Sequence, residues 1–158
     1  MSLENNLKKD DEALNLLISL TDKIPFFSFL NKTEINELIT EVRFFTYKNK
    51  DIIFNEGEIN NDYIYYLLKG KIQIKKYYKN TSLKTTIAII NKPSLFGEMM
   101  RITGEPRSAT VESSEDKTLV LAFKIREFEE SQTIAKFYKN VIIELTNKIK
   151  DMNDKYLS

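Results

Sequence analysis

Cysteine and histidine are both absent from this chain of 158 residues. Without cysteine there is no disulfide framework and no thiol nucleophile, and without either residue the usual zinc ligand sets are gone. The lack of histidine also removes every His-based triad and the commonest general base. Enzyme chemistry would be left to carboxylates, Lys, Tyr, Ser or Thr, and no enzyme is expected. An excess of one charge is missing too: 24 Lys and Arg against 23 Asp and Glu leave a net charge of +1. No overall field draws the chain to nucleic acid or to an anionic membrane. Apolar runs such as Leu16-Leu17-Ile18 are far too short to span a bilayer. The start, Met1-Ser2-Leu3-Glu4-Asn5-Asn6, lacks the basic and then apolar pattern of a signal peptide, so the expected location is cytoplasmic. Asn31-Lys32-Thr33 and Asn80-Thr81-Ser82 match the glycosylation triplet, but with no export signal they read as chance matches.

What is present fits one soluble globular domain. The length is close to the ~150 residues of an average domain and suffices to bury a core without staples. Apolar residues make up 42% and charged residues 30%, an ordinary globular balance. Three zones follow one another. Residues 1–43 read as an N-terminal helical segment. Ala13, Leu14, Leu17 and Ile18 share one helical face, Pro25 breaks the run, and Asn31 with Glu34 forms a capping-box start. Ile35, Leu38, Ile39 and Val42 then recur at helical spacing. Residues 44–124 change period. Asp51–Phe54, Tyr63–Leu68, Ile72–Lys75, Thr85–Ile90, Ser108–Val111 and Thr118–Phe123 read as short strands, which suggests a β-sandwich or a barrel such as a jelly roll. Residues 125–158 are helical again. Ala135, Tyr138, Ile142, Leu145, Ile149, Met152 and Tyr156 form a heptad seam, although Ile134, Phe137 and Val141 widen the apolar face. That stripe suits either a dimer helix or a helix packed on its own domain. Glu127, Glu129 and Glu130 suit the positive end of the helix dipole.

All four glycines, Gly57, Gly70, Gly97 and Gly104, fall in the middle zone, and none belongs to a G-x-G-x-x-G or a P-loop. One segment between two of the predicted strands stands out: Phe96-Gly97-Glu98-Met99-Met100-Arg101-Ile102-Thr103-Gly104-Glu105-Pro106-Arg107-Ser108-Ala109-Thr110-Val111. Gly97 removes a Cβ where backbone could approach a ligand. Glu98 to Ile102 can form a helical turn whose free N–H groups attract an anion. Arg107 supplies a fixed charge and a planar donor suited to phosphate. Glu98, acceptor-only when ionised, suits a hydroxyl. Taken singly, Glu98 and Arg107 could equally be a surface ion pair. Lys71, Lys75, Lys76, Lys79 and Lys84 read as the solvated face of a hairpin. Tyr63, Tyr65, Tyr66, Tyr77 and Tyr78 read as strand packing.

The segment 96–111 resembles the phosphate-binding cassette of the cyclic nucleotide-binding domain family, the module of the catabolite activator protein and of cAMP-dependent protein kinase regulatory subunits. The likeness extends to Asp51–Glu58, to the hairpin from Tyr63 through Gly70-Lys71-Ile72, and to Leu121-Ala122-Phe123 and Phe128. It implies a mainly β fold with flanking helices, a double-stranded β-helix (jelly-roll) barrel. It also implies a ligand, cAMP ahead of cGMP, and no other cofactor. Arg107 would hold the cyclic phosphate with Ser108 and the backbone near Met99 and Ala109. Glu98 would accept from the ribose 2′-OH beside Phe96 and Gly97. Ile87, Ala88 and a residue of the C-terminal helix, Tyr138, would cover the base. The implied function is a stand-alone cyclic nucleotide sensor whose C-terminal helix moves with the ligand, with a possible homodimer through that helix. Neither membrane nor nucleic acid is an expected partner. Two other readings are a regulator of the catabolite-activator type lacking its DNA-binding domain, since only 30 residues follow Phe128, and a degenerate scaffold that binds nothing. The chain departs from the family at Lys50 and Pro93, where glycine is usual, and at Arg101, where an aliphatic residue is usual.

Overall fold

The computed structural model describes residues 3–4, 11–126 and 131–157. The short strand β1 (Leu3–Glu4) precedes helix α1 (Asp11–Leu20), two 3₁₀ turns (Thr21–Lys23 and Pro25–Phe27) and helix α2 (Lys32–Leu38). The capping box expected at α2 is formed: the Glu34 N–H donates to Asn31 Oδ1 at 2.8 Å, and the Asn31 N–H donates to the Glu34 carboxylate at 2.9 Å.

The helical spacing predicted through Val42 is not realised. α2 ends at Leu38 and strand β2 runs Ile39–Tyr47 without a loop between them. The cause is local. The register of β2 shifts between Ile39 and Glu41, and the buried residues Ile39, Val42 and Phe45 then fall three apart, which imitates a helix.

Strands β3 (Ile52–Phe54), β4 (Ile64–Lys69), β5 (Ile72–Tyr77), β6 (Lys84–Ile90) and β7 (Ser94–Phe96) follow, then the one-turn helix α3 (Met99–Thr103), β8 (Thr110–Ser113), β9 (Thr118–Ile125) and the long helix α4 (Gln132–Leu157). They build two antiparallel sheets, one ordered β1-β2-β9-β4-β7 and the other β3-β8-β5-β6. β7 is a strand that composition did not mark, because it has only three residues. Phe128 and the Glu127, Glu129 and Glu130 turn lie outside the described residues. Among the described residues no helix is long and apolar enough to cross a membrane.

The five-stranded sheet is buried on both faces. Ile64, Tyr66, Leu121 and Phe123 meet Phe26, Phe27, Ile35 and Phe137 of the helical layer. The alternate residues Tyr65, Leu67, Val120 and Ala122 meet Ile72, Val111 and Phe54 of the other sheet. This is why Tyr63–Leu68 and Thr118–Phe123 read as nearly continuous apolar runs. Lys50, one of the departures from the family pattern, keeps a glycine-like φ of 72°. A lysine held there costs roughly 1–2 kcal/mol relative to glycine.

Candidate ligand-binding site

The facing sheets open at one end into a cavity of about 370 Å³. β7 leads into it, α3 and the chain to β8 form one side, and β5 with β6 form the other. Its lining includes Phe54, Ile74, Lys76, Ile87, Phe96, Gly97, Glu98, Met99, Arg107, Ser108, Ala109 and Lys148. The expected cassette is therefore gathered around one space, although its residues enter it from a strand end, a helical turn and a bend.

Arg107 is 3% exposed. Its guanidinium lies 4.3 Å from the Phe54 ring centroid and 5.4 Å from that of Tyr65, so two aromatic faces support the charge. Nη1 donates to the Gly97 carbonyl, and Nη2 donates to the carbonyls of Asn61 at 2.7 Å and Tyr63 at 2.6 Å and to Asn61 Oδ1 at 3.0 Å. Nε is buried without a partner. Burial draws the group below its ordinary pKa, while Tyr65, Glu58, Asp62 and Glu98 hold it up. Arginine remains a cation under such opposing pulls. Asn61 is a positioning residue that the sequence did not mark: its side chain orients Arg107 and also donates to the Tyr65 hydroxyl at 2.8 Å.

Gly97 has φ +71°, and a Cβ there would lie 2.9 Å from Arg107 Nη1, 3.0 Å from Tyr65 and 3.1 Å from Phe54. The glycine is what allows the guanidinium to close onto the carbonyl of residue 97. Glu98, 6% exposed, caps α3, and no donor within the described residues reaches its carboxylate. The Ser108 hydroxyl faces Met99 Sδ at 3.8 Å, and Ala109 is buried beside it. Arg101 turns away from the cavity and donates to the Arg126 carbonyl at 3.4 Å.

The opposite wall differs from expectation. Ile87 lines the cavity, at the point where the β5–β6 register slips between Ile74 and Lys75. Ala88 pairs with Ile74 but is not among the lining residues. Tyr138 is not among them either. It packs edge-on against Phe137 at 5.8 Å and belongs to the helical core. The predicted seam is split: Tyr138 and Leu145 pack with Phe137 and Val141 onto the helical core, whereas Ile142, Ile149 and Met152 are exposed. The residue of α4 at the cavity is Lys148, ten positions further on, and a second amine, Lys76, comes from β5.

α4 is fastened beside this opening. Lys148 Nζ donates to the Leu95 carbonyl, the Leu95 N–H donates to the Glu144 carboxylate, and Lys92 pairs with Asp151 at 2.5 Å. Burial, reinforced by Glu98, raises the Glu144 pKa, while Lys148 and the Leu95 N–H lower it. A carboxyl raised on folding contributes stability that is full at low pH and is lost as pH rises through its folded value. Glu144→Gln is therefore expected to melt higher than the parent chain near neutral pH and to lose that advantage around pH 4, where Glu144 is protonated. Thermal melts across that range check it, and a variant less stable at neutral pH refutes it.

Comparison with known proteins fits this geometry. The family model described as the cyclic nucleotide-binding domain matches residues 44–131, more than half of the chain. The chain belongs to the cyclic nucleotide-binding domain family. It is 28% identical over 120 residues to the cGMP-dependent protein kinase of Plasmodium berghei (strain Anka), covering 74% of this chain but only 13% of the kinase. Its fold resembles that of a cyclic nucleotide-binding domain from Methylobacillus flagellatus KT, with TM-score 0.69 and 20% identity, over 99% of this chain and 88% of that one. It also resembles the regulatory domain of Toxoplasma gondii PKA in its co-crystal with cAMP, with TM-score 0.55 and 19% identity, over 72% of this chain and 42% of that one. The jelly-roll fold expected of the family is thus present, with its cassette facing the cavity.

Proposed function

We propose that this chain is a cytoplasmic cyclic nucleotide sensor domain. The observation that carries the reading is Arg107: a buried cation lining a cavity, with an unpartnered Nε–H, opposite the open carboxylate of Glu98. A cyclic phosphate oxygen meets the spare donor, and the ribose 2′-OH donates a hydrogen bond to the Glu98 side chain. The Ser108 hydroxyl and the backbone N–H groups near Met99 and Ala109 complete the anion site. Ile87 covers one side of the base. Both cAMP and cGMP are candidate ligands: the relatives include a cGMP-dependent kinase and a domain crystallised with cAMP.

Binding couples to α4 through the ties at Leu95, because Lys148 borders both the cavity and the strand that leads to Glu98. A ligand that favours one position of α4 shifts its population by its difference in affinity. The heptad seam provides an outlet. Ile142, Ile149 and Met152 are 62%, 57% and 57% exposed and form a surface for a homodimer.

Thermal shift with cAMP, cGMP and their 2′-deoxy forms tests the reading. Ligand at a hundred times its Kd stabilises by about 2.7 kcal/mol, which is roughly 5–10 °C for a domain of this size. The deoxy forms are expected to give a much smaller shift on the parent chain, and Glu98→Gln narrows the difference. Sedimentation with and without ligand reads the dimer. No shift with any cyclic nucleotide would reject the function.

A further inference from the structure

We infer that the base end of the cavity is built for a 6-oxopurine, so that cGMP binds more tightly than cAMP, with Lys76 as the residue that discriminates. The inference rests on the cavity being the cyclic nucleotide site. Five polar side chains line it: Lys76, Glu98, Arg107, Ser108 and Lys148. Glu98, Arg107 and Ser108 stand together on the cassette side and are used by phosphate and ribose. Lys148 is engaged with the Leu95 carbonyl. The wall left for the base is Ile74, Lys76 and Ile87. Ile74 and Lys76 are two apart on β5 and share a face of the strand, and Ile87 comes across from the irregular stretch of β6. The two isoleucines offer apolar contact to the flat base. Lys76 is the one hydrogen-bonding side chain on that wall, and among the described residues it has no hydrogen bond or ion pair.

An ammonium donates and never accepts. Guanine presents two acceptors on its outer edge, O6 and N7, whereas adenine presents N7 beside a donor, the N6 amino group. Lys76 therefore finds a full complement on guanine, and on adenine it opposes one donor with another. The same argument reads the C6 substituent and ignores the 2-amino group, so cIMP, which has O6 and N7 but no 2-amino group, should behave as cGMP does. Lys76 is exposed, and solvent and salt weaken its effect. The expected discrimination is therefore about ten-fold, toward the low end for a cation reading guanine. The phosphate and ribose contacts are common to all three ligands, so cAMP still binds.

Calorimetry with cGMP, cIMP and cAMP tests this on the parent chain, on Lys76→Met and on Lys76→Glu. The parent is expected to bind cGMP and cIMP about ten-fold more tightly than cAMP. Lys76→Met should bring the cIMP-to-cAMP ratio to about one, and Lys76→Glu, whose carboxylate accepts from the N6 amino group, should invert it. If the parent binds cAMP as tightly as cIMP, or if Lys76→Met leaves the ratio unchanged, the inference is overturned. Tight cGMP with cIMP equal to cAMP assigns discrimination to the 2-amino group and likewise overturns it. Equal binding of all three removes this inference and leaves the sensor function standing, whereas no binding of any removes both.

Discussion

Arg107→Ala is expected to weaken cyclic nucleotide binding by a few tens-fold to several thousand-fold. Losing one partner of a buried charged pair costs about 2–5 kcal/mol, at about 1.4 kcal/mol per decade of affinity. The substitution has a second effect. The guanidinium holds the carbonyls of Gly97, Asn61 and Tyr63, and these lose their donor with it. A folding check must therefore accompany the calorimetry. Arg107→Lys separates the two contributions. It keeps the positive charge but has no planar fork to serve three carbonyls and a phosphate together. It should fold, and it should still bind far more weakly than the parent chain. A folded Arg107→Ala protein with unchanged affinity would remove this residue from the site.

The largest loss of stability from removing no atoms is expected at Gly70→Ala. Gly70 joins β4 to β5 at φ +100°, and a Cβ built on it lies 2.5 Å from Thr118 Oγ1 and 2.7 Å from Thr118 Cα. Thr118 opens β9, is fully buried, and donates its hydroxyl to the Glu115 carbonyl at 2.8 Å. Neither neighbour is a flexible side-chain end that could move aside. Backbone strain of roughly 1–2 kcal/mol adds to about 1–3 kcal/mol of overpacking. The melting temperature should fall by about 5–15 °C for a chain of this length. A drop of less than about 2 °C would mean that the turn does not approach Thr118 as described.

How legible the site was in the sequence depended on where its residues lie along the chain. Gly97, Glu98, Arg107, Ser108 and Ala109 fall within one short segment, so their joint pattern is readable in the sequence itself. Asn61, Lys76 and Lys148 come from three separate elements and meet that segment only after folding. Lys76 was read with Lys71, Lys75, Lys79 and Lys84 as a solvated face, and nothing in the local pattern sets it apart. Pairing does: Lys75 bonds Glu112 at 2.7 Å across the sheet, while Lys76, one position on, faces the cavity. An aromatic ring such as Tyr138 suits stacking on a base by its chemistry, but the sequence does not fix its distance from the cavity, and the fold places it in the helical core. The fold was readable to a similar degree. Alternation marked β5, and apolar runs marked β4 and β9. Periodicity failed at Ile39 and Val42, where the irregular register of β2 spaces its buried residues as a helix would.

The direct joint between α2 and β2 has a mechanical consequence. Leu38 closes the helix, Ile39 opens the strand, and both side chains are buried in the same core. A lever welded to its base without slack travels only with the base. A rearrangement of α2 would therefore have to carry β2 with it, so this corner of the helical layer is clamped to the five-stranded sheet.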